Sequence, residues 1–178
     1  MTCRFQNRRC AVRKIGSIDG LTGKVALSDS SNLLRFSCLR CGRLCCRLGG
    51  PVVTDGDITR LVRASSNISN FVVMTDPKYG AQMALSSNAD GECVLLVRRE
   101  HSCNCSVYQH RPDACRLFPF VLAGTGGKID VFVLPCRGLN REKGHLIDNE
   151  FVSRIAARFK STRKESSGDS TSTAFASR

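Results

Sequence analysis

Four cysteines fall within nine residues, "CLRCGRLCC" at 38–46, and no other feature constrains the fold of this chain as tightly. Thiols that dense are core filler, disulfide partners, a nucleophile with neighbours, or ligands of a metal. Each alternative asks for a different setting, so the rest of the sequence decides among them.

The setting argues against disulfides. The N-terminus, "MTCRFQNRRCAVRKIGS", is basic, and no apolar run of the kind that marks a secretory signal follows it. No stretch approaches the roughly 18 consecutive apolar residues of a membrane span. A cytoplasmic location is therefore expected, where structural disulfides are rare. The 11 cysteines are an odd number, so full pairing within one chain is impossible. They exceed ordinary usage but stay below the density of a small disulfide scaffold. With 42% hydrophobic residues, an average core supplemented by thiol chemistry is the expectation.

Charge is uneven. The net +12 divides as +8 over residues 1–50, −1 over 51–100, +1 over 101–150 and +4 over 151–178. Both ends are basic and the middle is neutral. That pattern suits contact with nucleic acid or an acidic protein through the ends, and it equally suits solvated tails with arginines balancing thiolate charge. No membrane partner is expected.

Local signals place the motifs. "KIGSIDGLTGKVAL" reads as a hairpin with Gly and Asp at its turn. "TDGDITRLVRAS" starts a helix, with Thr54 as cap, Asp57 answering it three residues on, and Ile58, Leu61 and Val62 on one face. Asp55 and Asp57 are read as capping residues rather than a catalytic carboxylate pair. "CVLLVRR" (93–99) and "KIDVFVLP" (128–135) read as strands, the second alternating Ile129, Val131 and Val133 after a "GTGG" turn. "DNEFVSRIAARF" is a closing helix with Asp148 as cap and Phe151, Ile155 and Phe159 repeating. The expected fold is α+β: one small metal-stabilised domain over 36–160, with short helices and a small antiparallel sheet around the cysteine cluster. A basic extension at 1–35 precedes it, and a disordered Ser/Thr-rich tail follows at 161–178.

Metal fits the cysteines best. Cys38 and Cys41 form a C-x2-C pair, whose tight turn aims both sulfurs at one ion, and Gly42 relieves the backbone crowding there. Cys45 and Cys46 follow. Adjacent side chains diverge on a helix or strand, so this pair is expected to suit a polynuclear cluster or two neighbouring sites better than one ion. Cys93, Cys103, Cys105, Cys115 and Cys136 lie downstream. In "CSVYQHRPDACRLFPF", Pro112 and Asp113 open a short helical turn that carries Cys115 inward, and Pro119 stops it. Arg111 and Arg116 flank that thiol and are candidates to offset the charge of a multi-thiolate cofactor.

The series "FSCLRCGRLCC", "TDGDITRL", "GECVLL" and "CSVYQHRPDACRLFPF" resembles the YkgJ-type cysteine-cluster family, described as a zinc- or iron-chelating domain with a CxxC-x3-CC signature. The resemblance covers about residues 36–137. It implies metal ligation by Cys38, Cys41, Cys45, Cys46, Cys93, Cys105, Cys115 and Cys136, with Tyr108, Arg111, Pro112, Arg116 and Pro119 in support. Cys103 departs from the pattern by making an extra C-x-C with Cys105, so either is a candidate ligand. Cys3 and Cys10 lie outside it.

Eight thiolates accommodate two tetrahedral zinc ions, a bridged binuclear site or a four-iron cluster. One C-x2-C pair and a crowded Cys45–Cys46 favour iron–sulfur, 4Fe-4S above all, with zinc as the alternative. A radical-SAM enzyme is expected to start C-x3-C-x2-C, and the spacing here runs the other way. A thioredoxin-like pair would stand alone in a βαβ unit. A cysteine nucleophile needs a histidine base, and His101, His110 and His145 are the candidates, His101 first because of "EHSCNC". Phosphate-cradling glycine loops and base-stacking aromatics are absent. Two functions follow as expectations: an iron–sulfur protein with an electron-transfer or redox-supporting role, serving a protein redox partner, or a zinc-stabilised binding module whose basic ends contact RNA, ribosome or an acidic protein. No catalytic constellation stands out.

Overall fold

A β-bulge sets the first core. Along β1 (Arg13–Asp19) the register slips between Lys14 and Gly16, so Ile15 is the inserted residue and the bulge re-aims its side chain. Ile15 and Ile18, three apart, are consequently both buried, as are Val131 and Val133 of β9 (Lys128–Val133). The computed structural model describes residues 12–28, 34–64, 67–77, 81–100, 102–124 and 127–166, the side chains of 68–69 and 161–166 aside. His101, Cys3, Cys10 and the part of the 161–178 tail beyond residue 166 lie outside the described residues, whereas residues 161–166, expected as disordered, are helical.

The chain divides into two units. Met1–Ser37 and Pro119–Ile155 form the first, built on an antiparallel sheet in the order β2-β1-β9-β8, with β2 at Val25–Leu27 and β8 at Phe120–Ala123. The expected hairpin is β1–β2, and β1 pairs on its other side with β9, placing Ile18 opposite Ile129. Part of the stretch expected as an extension is thus an inner strand. Gly16 is needed there, because a Cβ would lie 2.5 Å from the Ala26 carbonyl oxygen. Phe120 packs edge-on between Phe36 and Phe151, at ring distances of 5.3 and 5.2 Å. Phe36 belongs to a short strand, β3 (Arg35–Phe36), and pairs with His145 of β10 (His145–Leu146).

Cys38–Phe118 and Ala156–Arg178 form the second unit. It contains α1 (Asp55–Ala64), the hairpin of β4 (Val72–Met74) and β5 (Met83–Leu85), the hairpin of β6 (Leu96–Arg99) and β7 (Ser102–Cys105), and α2 (Asp113–Leu117). Its core is Cys46, Val53, Leu61, Leu85, Cys93, Leu95 and Val107. Two of the cysteines are therefore core residues as well as candidate ligands.

The capping expectations hold. Thr54 Oγ1 accepts the Asp57 N–H and Asp57 Oδ2 accepts the Thr54 N–H, each at 3.1 Å. Asp148 Oδ1 accepts the Phe151 N–H at 2.7 Å and opens α3 (Asn149–Ser166). Two faces differ from expectation. Val62 is 42% exposed while Leu61 is fully buried. In α3, Val152 and Ala156 are the buried residues, and Phe151, Ile155 and Phe159 flank them half-buried. The larger side chains carry the apolar repeat, whereas Val152 and Ala156 are the residues that become buried. The 93–99 strand is also shorter than its sequence suggests. Cys93 makes an isolated bridge to Ser87, and β6 begins only at Leu96. No helix among the described residues is long and apolar enough to cross a membrane. The architecture is small and α+β.

Candidate metal centre

All eight cysteines between Cys38 and Cys115 lie in the second unit, and none of them is in a disulfide. Gly42 closes the C-x2-C loop in the left-handed region, at φ 55°. A Cβ there would lie 2.7 Å from Leu96 Cδ1 and 3.6 Å from Cys46 Sγ, so glycine spares the loop both left-handed strain and crowding where it approaches Cys46. Arg40, inside the same loop, also has positive φ, at 53°.

Cys45 and Cys46 do not diverge. They sit in a turn closed by the Arg47 and Leu48 N–H groups on the Leu44 carbonyl, not in a regular element, and their sulfurs are 3.9 Å apart. Two thiolates on one tetrahedral zinc stand about 3.8 Å apart, given a Zn–S bond of about 2.3 Å. The expected divergence does not occur, because it assumed helix or strand geometry and the pair sits in a turn.

Cys93 joins them through the backbone, its N–H donating to the Cys46 carbonyl at 2.8 Å. Cys105, on β7, and Cys115, on α2, join them electrostatically: the charges of Cys45, Cys93 and Cys105 act on both Cys46 and Cys115. The hydrogen bond it shares with Cys46 holds the Cys45 thiol down to about 7. The same bond, burial and the neighbouring thiolates push Cys46 up. Burial raises Cys93, Cys105 and Cys115, and the thiolate field adds to it. Against burial, Cys93 faces the Leu95 N–H and Cys105 the Val107 N–H, each two residues on. Such N–H donors favour the thiolate form that a metal needs.

Cys38 is the exposed member, and Arg111 donates to its sulfur at 3.8 Å. The Arg111 guanidinium lies 4.1 Å from the centre of the Tyr108 ring, and that of Arg40 lies 4.6 Å from it. The Arg111 charge reaches Cys45, Cys105 and Cys115, favouring their thiolates. Arg116 is placed otherwise. It donates to the Arg111 and Gln109 carbonyls at 3.0 and 2.7 Å, bracing the turn before Cys115.

Cys105 shares the thiolate field, whereas the charge of Cys103 acts on Arg98 across the hairpin. Cys136 belongs to the first unit, on the loop after β9, where its sulfur accepts the Gly138 N–H at 3.4 Å. His110 and His145 are exposed. Among the described residues, no three Cys, His, Asp or Glu side chains stand in the closed arrangement that one ion requires. The donor set nonetheless fits a thiolate-binding metal, since five thiols gather with N–H groups and a guanidinium turned to their charge. Closure of the shell would accompany deprotonation on binding.

Sequence reasoning missed Glu92. It is 3% exposed and its carboxylate is gripped by Arg47 and Arg98. The available signal was an acidic residue directly beside a predicted ligand, in a segment with few counter-charges nearby in sequence. Asp57 was read as a cap alone, yet its Oδ1 also accepts the Asp113 N–H at 3.0 Å.

The chain matches the CxxCxxCC family model, described as "Putative zinc- or iron-chelating domain", over residues 37–148. That span covers more than half of the chain, and the protein belongs to this family. It is also 25% identical over 134 residues to an uncharacterized protein of Methanocaldococcus jannaschii, covering 72% of this chain and 71% of that one. No solved structure matches. Family membership supports metal binding by a zinc- or iron-chelating cysteine domain.

Proposed function

We propose that the second unit carries an iron–sulfur cluster, of the four-iron type, and serves an electron-transfer or redox-supporting role. The observation that carries this reading is that Cys46 and Cys115 both lie within reach of the charges of Cys45, Cys93 and Cys105, with Cys38 and Cys41 on the adjoining loop. That is more thiol than a single tetrahedral ion uses. When bound, such a cluster supplies one-electron chemistry. The chain's own residues would ligate it, direct the Leu95 and Val107 N–H groups and Arg111 toward the sulfurs, and leave the Cys38 corner open to solvent. Hydrogen bonds to sulfur and local exposure are the features by which a protein sets the potential of such a centre.

Anaerobic purification followed by visible absorption and elemental analysis tests the reading. A coloured protein with iron and sulfide in equal amounts supports it. A colourless protein with stoichiometric zinc overturns it in favour of a zinc-stabilised binding module, whose association with an acidic partner or nucleic acid would weaken as salt rises.

A further inference from the structure

Two carboxylates in the second unit are buried and are not themselves available as ligands. Asp57 is fully buried. Its oxygens accept the Thr54 N–H, the Asp113 N–H and the Arg60 guanidinium. Asp113 is the first residue of α2, which carries Cys115. Arg60 reaches on to Asp113 Oδ2 at 3.1 Å, so the start of α1 and the start of α2 are joined twice. Glu92 makes an equivalent junction elsewhere. Its Oε1 accepts Arg47 Nε at 2.7 Å, and its Oε2 accepts Arg98 Nε at 3.1 Å. Arg47 follows Cys46 in sequence, Glu92 precedes Cys93, and Arg98 pairs across the β6–β7 hairpin with Cys103.

We infer that Asp57 and Glu92 are positioning residues for the metal centre: Asp57 sets Cys115 against α1, and Glu92 sets Cys93 against Cys46, before any metal arrives. The physical case rests on where charge is buried. A buried carboxylate is tolerated when its hydrogen bonds are complete, and losing a partner then costs far more than losing one at the surface. Such groups hold one geometry where a mobile surface pair would not. Each of these two joins segments distant in sequence, and each joined pair contains a ligand candidate. Thiols brought together in this way need less ordering on binding, which raises affinity without adding a donor.

This inference rests on the metal reading, and the test separates the two. The full-length chain is prepared metal-free under anaerobic, reducing conditions. It is titrated with cobalt(II), followed by thiolate-to-cobalt absorption, and with zinc in competition with a chromophoric chelator. Glu92→Gln and Asp57→Asn keep the side-chain shape and remove the charge. Each is expected to weaken zinc binding about ten- to hundredfold, the range for residues that orient ligands, and to lower the thiolate band per cobalt. Glu92→Asp recovers part of the affinity. Val131→Ala, in the other unit's sheet, lowers the melting temperature and leaves zinc affinity as it was. Should a buried variant fail to fold, Arg98→Gln tests the same junction, since that side chain is half exposed. Folded Glu92→Gln or Arg98→Gln binding zinc within twofold of the unmodified chain overturns the positioning role. An unmodified chain that takes up neither cobalt nor zinc, and that gains no iron–sulfide chromophore on anaerobic reconstitution with iron and sulfide, overturns the metal reading itself.

Discussion

The backbone N–H of Cys93 donates to the carbonyl of Cys46 at 2.8 Å, so two candidate ligands far apart in sequence are neighbours by main-chain bonding alone. Both are also core residues, 6% and 8% exposed. Ligation and packing therefore share the same side chains, and changes to one should register in the other.

Metal removal is the direct consequence. With two ligand candidates inside a core of seven residues, binding free energy becomes folding free energy. Chelation under reducing conditions should lower the melting temperature followed by circular dichroism. An unchanged melting curve would sink the idea that metal and fold are linked.

Serine substitutions should divide the cysteines. Cys38→Ser, Cys41→Ser and Cys115→Ser are expected to lower the metal content measured by elemental analysis. Cys3→Ser and Cys10→Ser, outside the matched region, should leave it unchanged. Equal loss from both groups would place the metal site elsewhere.

Cys45 should show a distinctive pH profile in the metal-free chain. Its thiol is held at about 7, below its ordinary 9.0, chiefly by the bond from Cys46. The thiolate is the reactive form, so its alkylation, read by peptide mass spectrometry, should rise through pH 7. Cys46→Ala removes the donor and should move that profile toward 9. A profile insensitive to the substitution would contradict the pairing.

Acid should loosen the junction at Glu92. Arg98, then Arg47, hold its carboxyl below the ordinary 4.5. A depressed carboxyl contributes stability that is complete above 4.5 and is lost as pH falls through the lower folded value. The metal-free chain should therefore unfold more readily below pH 4.5, and Glu92→Gln should show a flatter acid limb. Equal acid limbs would show that the pair contributes little to folding.

Thr54→Ala and Leu61→Ala test the frame that carries the site. Loss of the reciprocal cap should cost about 1 kcal/mol, and truncation of a fully buried leucine about 2–5 kcal/mol, both read from denaturant unfolding. Losses in the reverse order would mean that α1 is held by its cap and not by its packing.

What the residues alone determined was local. Thr54 and Asp57, Asp148, Pro112 and Gly42 act through a few neighbouring bonds, so caps, the turn before Cys115 and the C-x2-C loop were legible. So was membership of a zinc- or iron-chelating cysteine domain, because the spaced cysteine blocks that mark it lie in the sequence itself. Tertiary structure decided the rest. Cys45 and Cys46 converge because a turn, not a regular element, carries them. Cys105 joins the thiolate field while Cys136 falls in the other unit. Asp57 and Glu92 acquire their partners only when α1 meets α2 and the 92–93 segment meets residues 46–47. Those contacts depend on burial and long-range hydrogen bonds, whose energy exists only once distant segments have closed on one another, and no local pattern records which segments will meet.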